Sequence, residues 1–147
     1  MSADTDLIAL YSTRILALAA DIPRTEPLHS PAASVRHRAP LCGSTVTVGM
    51  NVRDGVVTDY SQDVKACALG QASASVVGAN IVGCDRNRIQ AARDQLLAML
   101  KSEGPAPTAP FDGLEVLMPA RDYKNRHASI MLALEASLEA FDKATAP

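Results

Sequence analysis

A chain of 147 residues with 48% apolar side chains has material for one domain with a single core. It lacks Trp and is only 3% aromatic, so that core must be built from Ala, Val, Leu, Ile and Met. A net charge of −2, with no basic run interleaved with aromatics, argues against nucleic acid as a partner, and no uninterrupted apolar run is long enough to cross a bilayer.

Met1 to Asp6 carries two aspartates and no basic residue, unlike a signal peptide, so the expected location is the cytoplasm. Thr5 or Asp6 can cap a first helix, whose Leu7, Leu10, Ile15 and Leu18 fall near one face and which stops before Pro23. Ile22 to Pro40 holds four prolines and little periodicity. It predicts an extended connector ending in a short edge strand, Ser34 to Leu41, where proline is tolerated. Thr45 to Val52 is the clearest strand: Val46, Val48, Met50 and Val52 alternate with Thr45, Thr47, Gly49 and Asn51. Asp54-Gly55 supplies a tight hairpin turn, and Val56 to Asp63 returns as the partner strand.

Beyond Lys65 the period of two gives way to small helical residues, Ala68, Ala72, Ser73, Ala74 and Ser75, which allow close helix packing. Asp85 is a predicted N-cap for a helix from Arg86 to Lys101, with Ile89, Ala92, Leu96, Leu97 and Leu100 on its apolar face. Gly104-Pro105 ends that helix, and Pro105 to Pro110 reads as a loop. Phe111 to Leu117 predicts a short helix ending before Pro119. The last helix runs from Tyr123 to Lys143, with His127, Met131, Leu134, Leu138 and Phe141 along one stripe. The sum is a single α+β domain over residues 1–147, an antiparallel sheet of about three strands packed with about five helices.

The cysteines are Cys42, Cys67 and Cys84, an odd number at wide spacing, which is no disulfide framework. Cys42 precedes the strongest strand and Cys67 follows the hairpin, so antiparallel pairing returns Cys67 towards Cys42. Gly43 lets the backbone turn closely beside Cys42. A helix N-terminus and Lys65 both favour the thiolate of Cys67, the form that binds soft metals and handles sulfur. The competing reading is a pair of buried core thiols. His127 by itself reads as a core histidine, Cys84 as a loop thiol, Asp122 as a helix cap and Ser44 as a strand-start residue.

Leu41-Cys42-Gly43-Ser44 resembles the Cys-Gly-Asp motif of the NifU N-terminal/IscU-like (SufU-like) scaffold family of iron–sulfur cluster assembly. Lys65-Ala66-Cys67-Ala68-Leu69-Gly70-Gln71-Ala72-Ser73-Ala74-Ser75 is similar to that family's second cysteine and the Ala/Ser-rich helix after it. Tyr11 through Pro23-Arg24, Pro119-Ala120-Arg121 and Arg126-His127-Ala128-Ser129 resemble further family segments in the right order, the last of them a His-Cys-Ser stretch. The resemblance implies an α/β sandwich that is a carrier, with no catalytic residue. It implies a metal and cofactor site at Cys42, Cys67 and His127 for iron, a [2Fe–2S] cluster or zinc. It also implies a cysteine desulfurase as sulfur donor and apo iron–sulfur proteins as acceptors.

Two departures follow from the same alignment. Ser44 replaces the family's aspartate, and Ala128 falls at its third cysteine, leaving a Cys2His set with one coordination position open. A second reading is therefore a zinc-binding or sulfur-relay module of the same fold. A third, a nucleophilic enzyme with Cys67 activated by His127, has no orienting residue or oxyanion signature behind it.

Overall fold

Alternating side chains and one tight turn set the centre of the molecule. The computed structural model describes residues 12–40 and 43–146. Among them, β2 (Thr45–Arg53) and β3 (Val56–Lys65) form an antiparallel hairpin, and β1 (Ala33–Arg38) pairs with the other edge of β2. Asp54 and Gly55 both have positive φ, 54° and 78°, which gives the turn the twist that a two-residue hairpin needs. Val46, Val48 and Met50 are fully or almost fully buried on the inner face, as their alternation predicts. β1 is the proline-flanked edge strand expected, two residues or so shorter than its predicted span.

The helices cover the inner face. After α1 (Thr13–Ala20) and the sheet come α2 (Ala68–Asn80), α3 (Arg86–Lys101), a 3-10 segment (Asp112–Asp122) and α4 (Lys124–Thr145). α4 lies across β1 and β2 and touches both α2 and α3, while α1 packs on α2. Ser12 caps α1, its hydroxyl accepting from Ile15 N–H. The predicted start of this helix at Thr5 or Asp6 lies outside the described residues. Asp85 caps α3 through Arg88 N–H at 2.9 Å, and α3 has the bounds that its apolar period and cap predict. No described helix is long and apolar enough to cross a membrane.

Two boundaries differ from expectation. The helix predicted to stop before Pro119 instead runs as a 3-10 segment through Pro119 to Asp122. Proline's fixed φ suits such a turn, and its missing N–H costs only one bond in a short 3-10 run. Asp122 does not cap α4; the N-cap is Tyr123, whose side chain makes no capping bond.

α2 is built of small residues because two elements press on it. Ser73 is fully buried and donates to Ile130 O of α4 at 2.7 Å. A Cβ on Gly70 would collide with Ser129 Oγ and stand 3.2 Å from Ser129 O and 2.9 Å from Ala66 Cβ. We expect Gly70→Val to cost about 2–3 kcal/mol, as overpacking against an unyielding backbone does, read as a lower urea midpoint with unchanged slope.

Candidate functional site

Leu41 and Cys42 lie outside the described residues, but Ala39, Gly43 and Ser44 around them are placed. Ala39 N–H donates to Ser44 O at 2.8 Å, extending the β1–β2 ladder past the Arg38–Thr45 pair. Gly43 N–H then donates back to Ala39 O at 2.9 Å, with Gly43 at φ 73°, where glycine is favoured. Ser44, expected as a simple strand-start residue, is buried and faces the helices.

The hairpin returns the chain to this end of the sheet as predicted. Lys65 pairs with Thr45, and Cys67 follows two residues later as the N-cap of α2, extended at φ −67°, ψ 169°. Cys67 is half-buried. Its Sγ lies 3.6 Å from Ser129 Oγ, and Ser129 in turn donates to Ser44 Oγ at 3.1 Å. Ser129 is thus the side chain by which α4 joins the two segments.

Burial by itself would raise the Cys67 pKa. The N–H groups of Gly70 and Leu69 at the start of α2, the Ser129 hydroxyl and the Arg126 guanidinium all favour the thiolate and hold its pKa below the usual thiol value. Arg126 and Ser129 are three apart on α4, so they share the face turned to Cys67. Ionisation of Cys67 gives the Ser129 hydroxyl a stronger acceptor than Ser44, so one O–H rotation redirects its donated hydrogen bond from Ser44 to the sulfur.

The other expected residues have different positions. Ala128, aligned above with the family's third cysteine, is exposed, and its neighbour Ser129 is the residue turned to the site. His127 is buried, as its stripe predicts, but its Nε2 donates to Ala120 O at 2.9 Å. Two residues turn a helix by about 200°, so His127 leaves α4 on nearly the opposite side from Ser129. There it lines a cavity of about 550 Å³ with Leu100, Lys101, Glu103, Arg121, Asp122 and Lys124. Cys84 is a buried thiol donating to Asn80 O at 3.3 Å, and burial raises its pKa. Among the described residues no three His, Cys, Asp or Glu side chains gather where they could hold a metal.

Because the folded pKa of Cys67 is depressed, its alkylation in a Cys42→Ser, Cys84→Ser background should reach half-maximal rate at lower pH than a free thiol. Ser129→Ala removes one donor to the thiolate and should move that midpoint upward. An unchanged midpoint would show the hydroxyl to be idle. His127→Ala strands the Ala120 carbonyl and should cost about 1–3 kcal/mol of stability, read by urea unfolding, while leaving the Cys67 alkylation profile unchanged.

No family model matches the chain, and no curated protein is significantly similar to it. Solved structures are. The N-terminal part of a nitrogen-fixing NifU-like protein from Brucella abortus is 44% identical, with 95% of this chain and 96% of that one covered at a TM-score of 0.92. A protein described as an iron–sulfur cluster assembly scaffold for the SUF system, from Fervidobacterium islandicum AW-1, shares the fold at 17% identity and a TM-score of 0.77 over 90% of this chain and 96% of that one. Near-complete coverage of both chains at 44% identity, on a fold that links Cys67 to Ser44 through Ser129, establishes that the chain belongs to the NifU-like N-terminal family.

Proposed function

We propose that the protein is an iron–sulfur assembly carrier. Its cargo is iron or a [2Fe–2S] cluster, held at Cys42 and Cys67. Sulfur arrives from a cysteine desulfurase, and the assembled cargo leaves to apo iron–sulfur proteins. The observation that carries this reading is the 44% identity with a NifU-like protein across 95% of the chain. It is supported by a thiol at a helix N-terminus whose surroundings favour the ligating thiolate.

In this reading each residue at the site has a task. Cys67 presents a half-buried thiolate, and Arg126 and the first N–H groups of α2 offset the negative charge that builds up as thiolate and sulfide collect. Ser129 ties the N-terminal part of α4 to Cys67 and to Ser44 by hydrogen bonds. His127 can serve as a third ligand only by releasing Ala120 O and crossing to the other side of α4. Two cysteines are fewer than the four ligand atoms of a [2Fe–2S] cluster, so the cargo needs ligands from outside the chain.

The serines at 44 and 129 favour a second reading, a zinc-binding or sulfur-relay module of the same fold. Zinc is satisfied by fewer thiolates plus an exogenous ligand, and a relay needs only one reactive thiol.

Anaerobic reconstitution with ferrous iron and sulfide separates the two. The carrier reading expects cluster absorbance and a matching Mössbauer spectrum, both lost in Cys42→Ala and Cys67→Ala but retained in Cys84→Ala. Stoichiometric zinc in protein purified without oxygen, with no cluster under any reconstitution, would overturn it in favour of the second.

A further inference from the structure

We propose that Arg38, Lys65 and Arg126 make the Cys67 site an anion-selecting thiol site, which takes a small carboxylate-bearing thiol as the ligand its serines do not supply. The inference rests on the carrier reading and specifies the outside ligand that the reading requires.

Three cations converge on this end of the sheet although the whole chain is net negative. Arg38, Thr45 and Lys65 form one cross-strand row, the last before the cysteine segments. Arg38 is exposed, and its guanidinium reaches towards Gly43: Nη2 lies 3.9 Å from where a Cβ on that residue would stand. Lys65 is exposed two residues before Cys67. Arg126 approaches the Cys67 sulfur from α4.

Among the described residues none of the three forms an ion pair with a carboxylate, and Arg126 turns its charge to the Cys67 sulfur. Among the described residues the ion pairs are His37–Glu139, Arg86–Asp142, Arg93–Asp94 and Arg93–Glu135. The carboxylate on the same sheet face, Asp63, stands in the next row back with Thr47 and Arg36, which brings its own positive charge. A thiol entering at this sheet end therefore meets Arg126 on the α4 side and the Arg38–Lys65 row on the outer sheet face. A carboxylate two or three bonds from that thiol fits an Arg fork or the Lys ammonium. An ammonium in the same place is repelled.

The selection can be read without any metal. In a Cys42→Ser, Cys84→Ser background, the Cys67 thiolate attacks one sulfur of a symmetric disulfide. A Cys67–S–S–R bond forms and RS− leaves with the electron pair of the broken bond. The probes are 3,3′-dithiodipropionate, 2-hydroxyethyl disulfide and cystamine, with anionic, neutral and cationic arms, each rate divided by that of a neutral model thiol. With Arg126 at the sulfur and Arg38 and Lys65 at the same sheet end, we expect the normalised rate to favour the anionic over the cationic probe by about tenfold at low salt. High salt should shrink that ratio towards one.

The ratio is the diagnostic quantity, because R126Q also weakens the thiolate and slows all three probes together. R38Q and K65Q stand away from the sulfur and should each reduce the ratio severalfold with native circular dichroism. Equal normalised rates, or a preference that survives R38Q/K65Q/R126Q in a folded protein, overturns the proposal.

Reconstitution in 3-mercaptopropionate against cysteamine then tests the ligand role. A cluster formed with the first and not the second is expected. Equal cluster yield with both overturns the assignment of the ligand. No cluster with either, the exchange preference being intact, counts against the carrier reading while the anion selection stands.

Discussion

The close approach of α2 to α4 at Gly70 and Ser129 governs the functional end of the molecule. No side chain fits on residue 70, because Ser129 Oγ and the Ser129 carbonyl occupy its place. One turn on, Ser73 fixes the same contact with its bond to Ile130 O. With the helices at that distance, the residue that begins α2 is laid against the face of α4 that carries Arg126 and Ser129. The half-burial of Cys67, its hydrogen bond to Ser129 and the proximity of a guanidinium all follow from that one packing distance.

A core almost free of aromatics needs some other means of fixing its elements, since small apolar side chains make few distinctive contacts. Here buried polar groups fill that role. Tyr60 on β3 meets Ser137 on α4 at 2.9 Å. Gln62, also buried, donates to Ala74 O of α2 and to Pro23 O of the connector. Arg24 bonds Gly78 O, and its own carbonyl accepts from Gln62 N–H. Each bond adds modest net stability, but each is costly to lose once its partner is buried. They hold the proline-rich connector against the sheet and set the register of α2 on β3. The middle of β3 is therefore tied to α2, to α4 and to the connector.

The features legible in sequence are those that rest on contrast. β2 and β3 alternate cleanly and share an Asp-Gly turn, so their pairing, and with it the return of Cys67 to the Ser44 end, could be derived from residues alone. α3 has a polar face, an Asp85 cap and a glycine beyond its end, and it appeared with the predicted bounds. α4 has no such contrast. From His127 to Phe141 it is buried on nearly every side, so an apolar stripe can be drawn through it at more than one phase. Ala128 takes its place at the site from the motif resemblance alone, whereas Ser129 is the residue that reaches Cys67, and His127, on a correctly drawn stripe, faces Ala120 and not the cysteine. Pro119 misled for another reason: it reads as a stop for an α-helix, but a 3-10 turn accommodates it.

Two serines at the site alter its chemistry in a consistent direction. A hydroxyl at neutral pH is a poor ligand for a soft metal but a good hydrogen-bond partner for a thiolate. Ser129, itself bonded to Ser44, thus orients the Cys67 sulfur and favours its thiolate without competing for whatever it binds. The cations around them act the same way, favouring negative charge near the sulfur while leaving coordination positions unfilled. Under the proposed carrier function, such a site holds its cargo by few protein bonds and by the field around them. On that proposal its occupancy is set by the ligands that arrive from solution, and the residues proposed to choose among them lie on the sheet end and on α4, outside the cysteine motif itself.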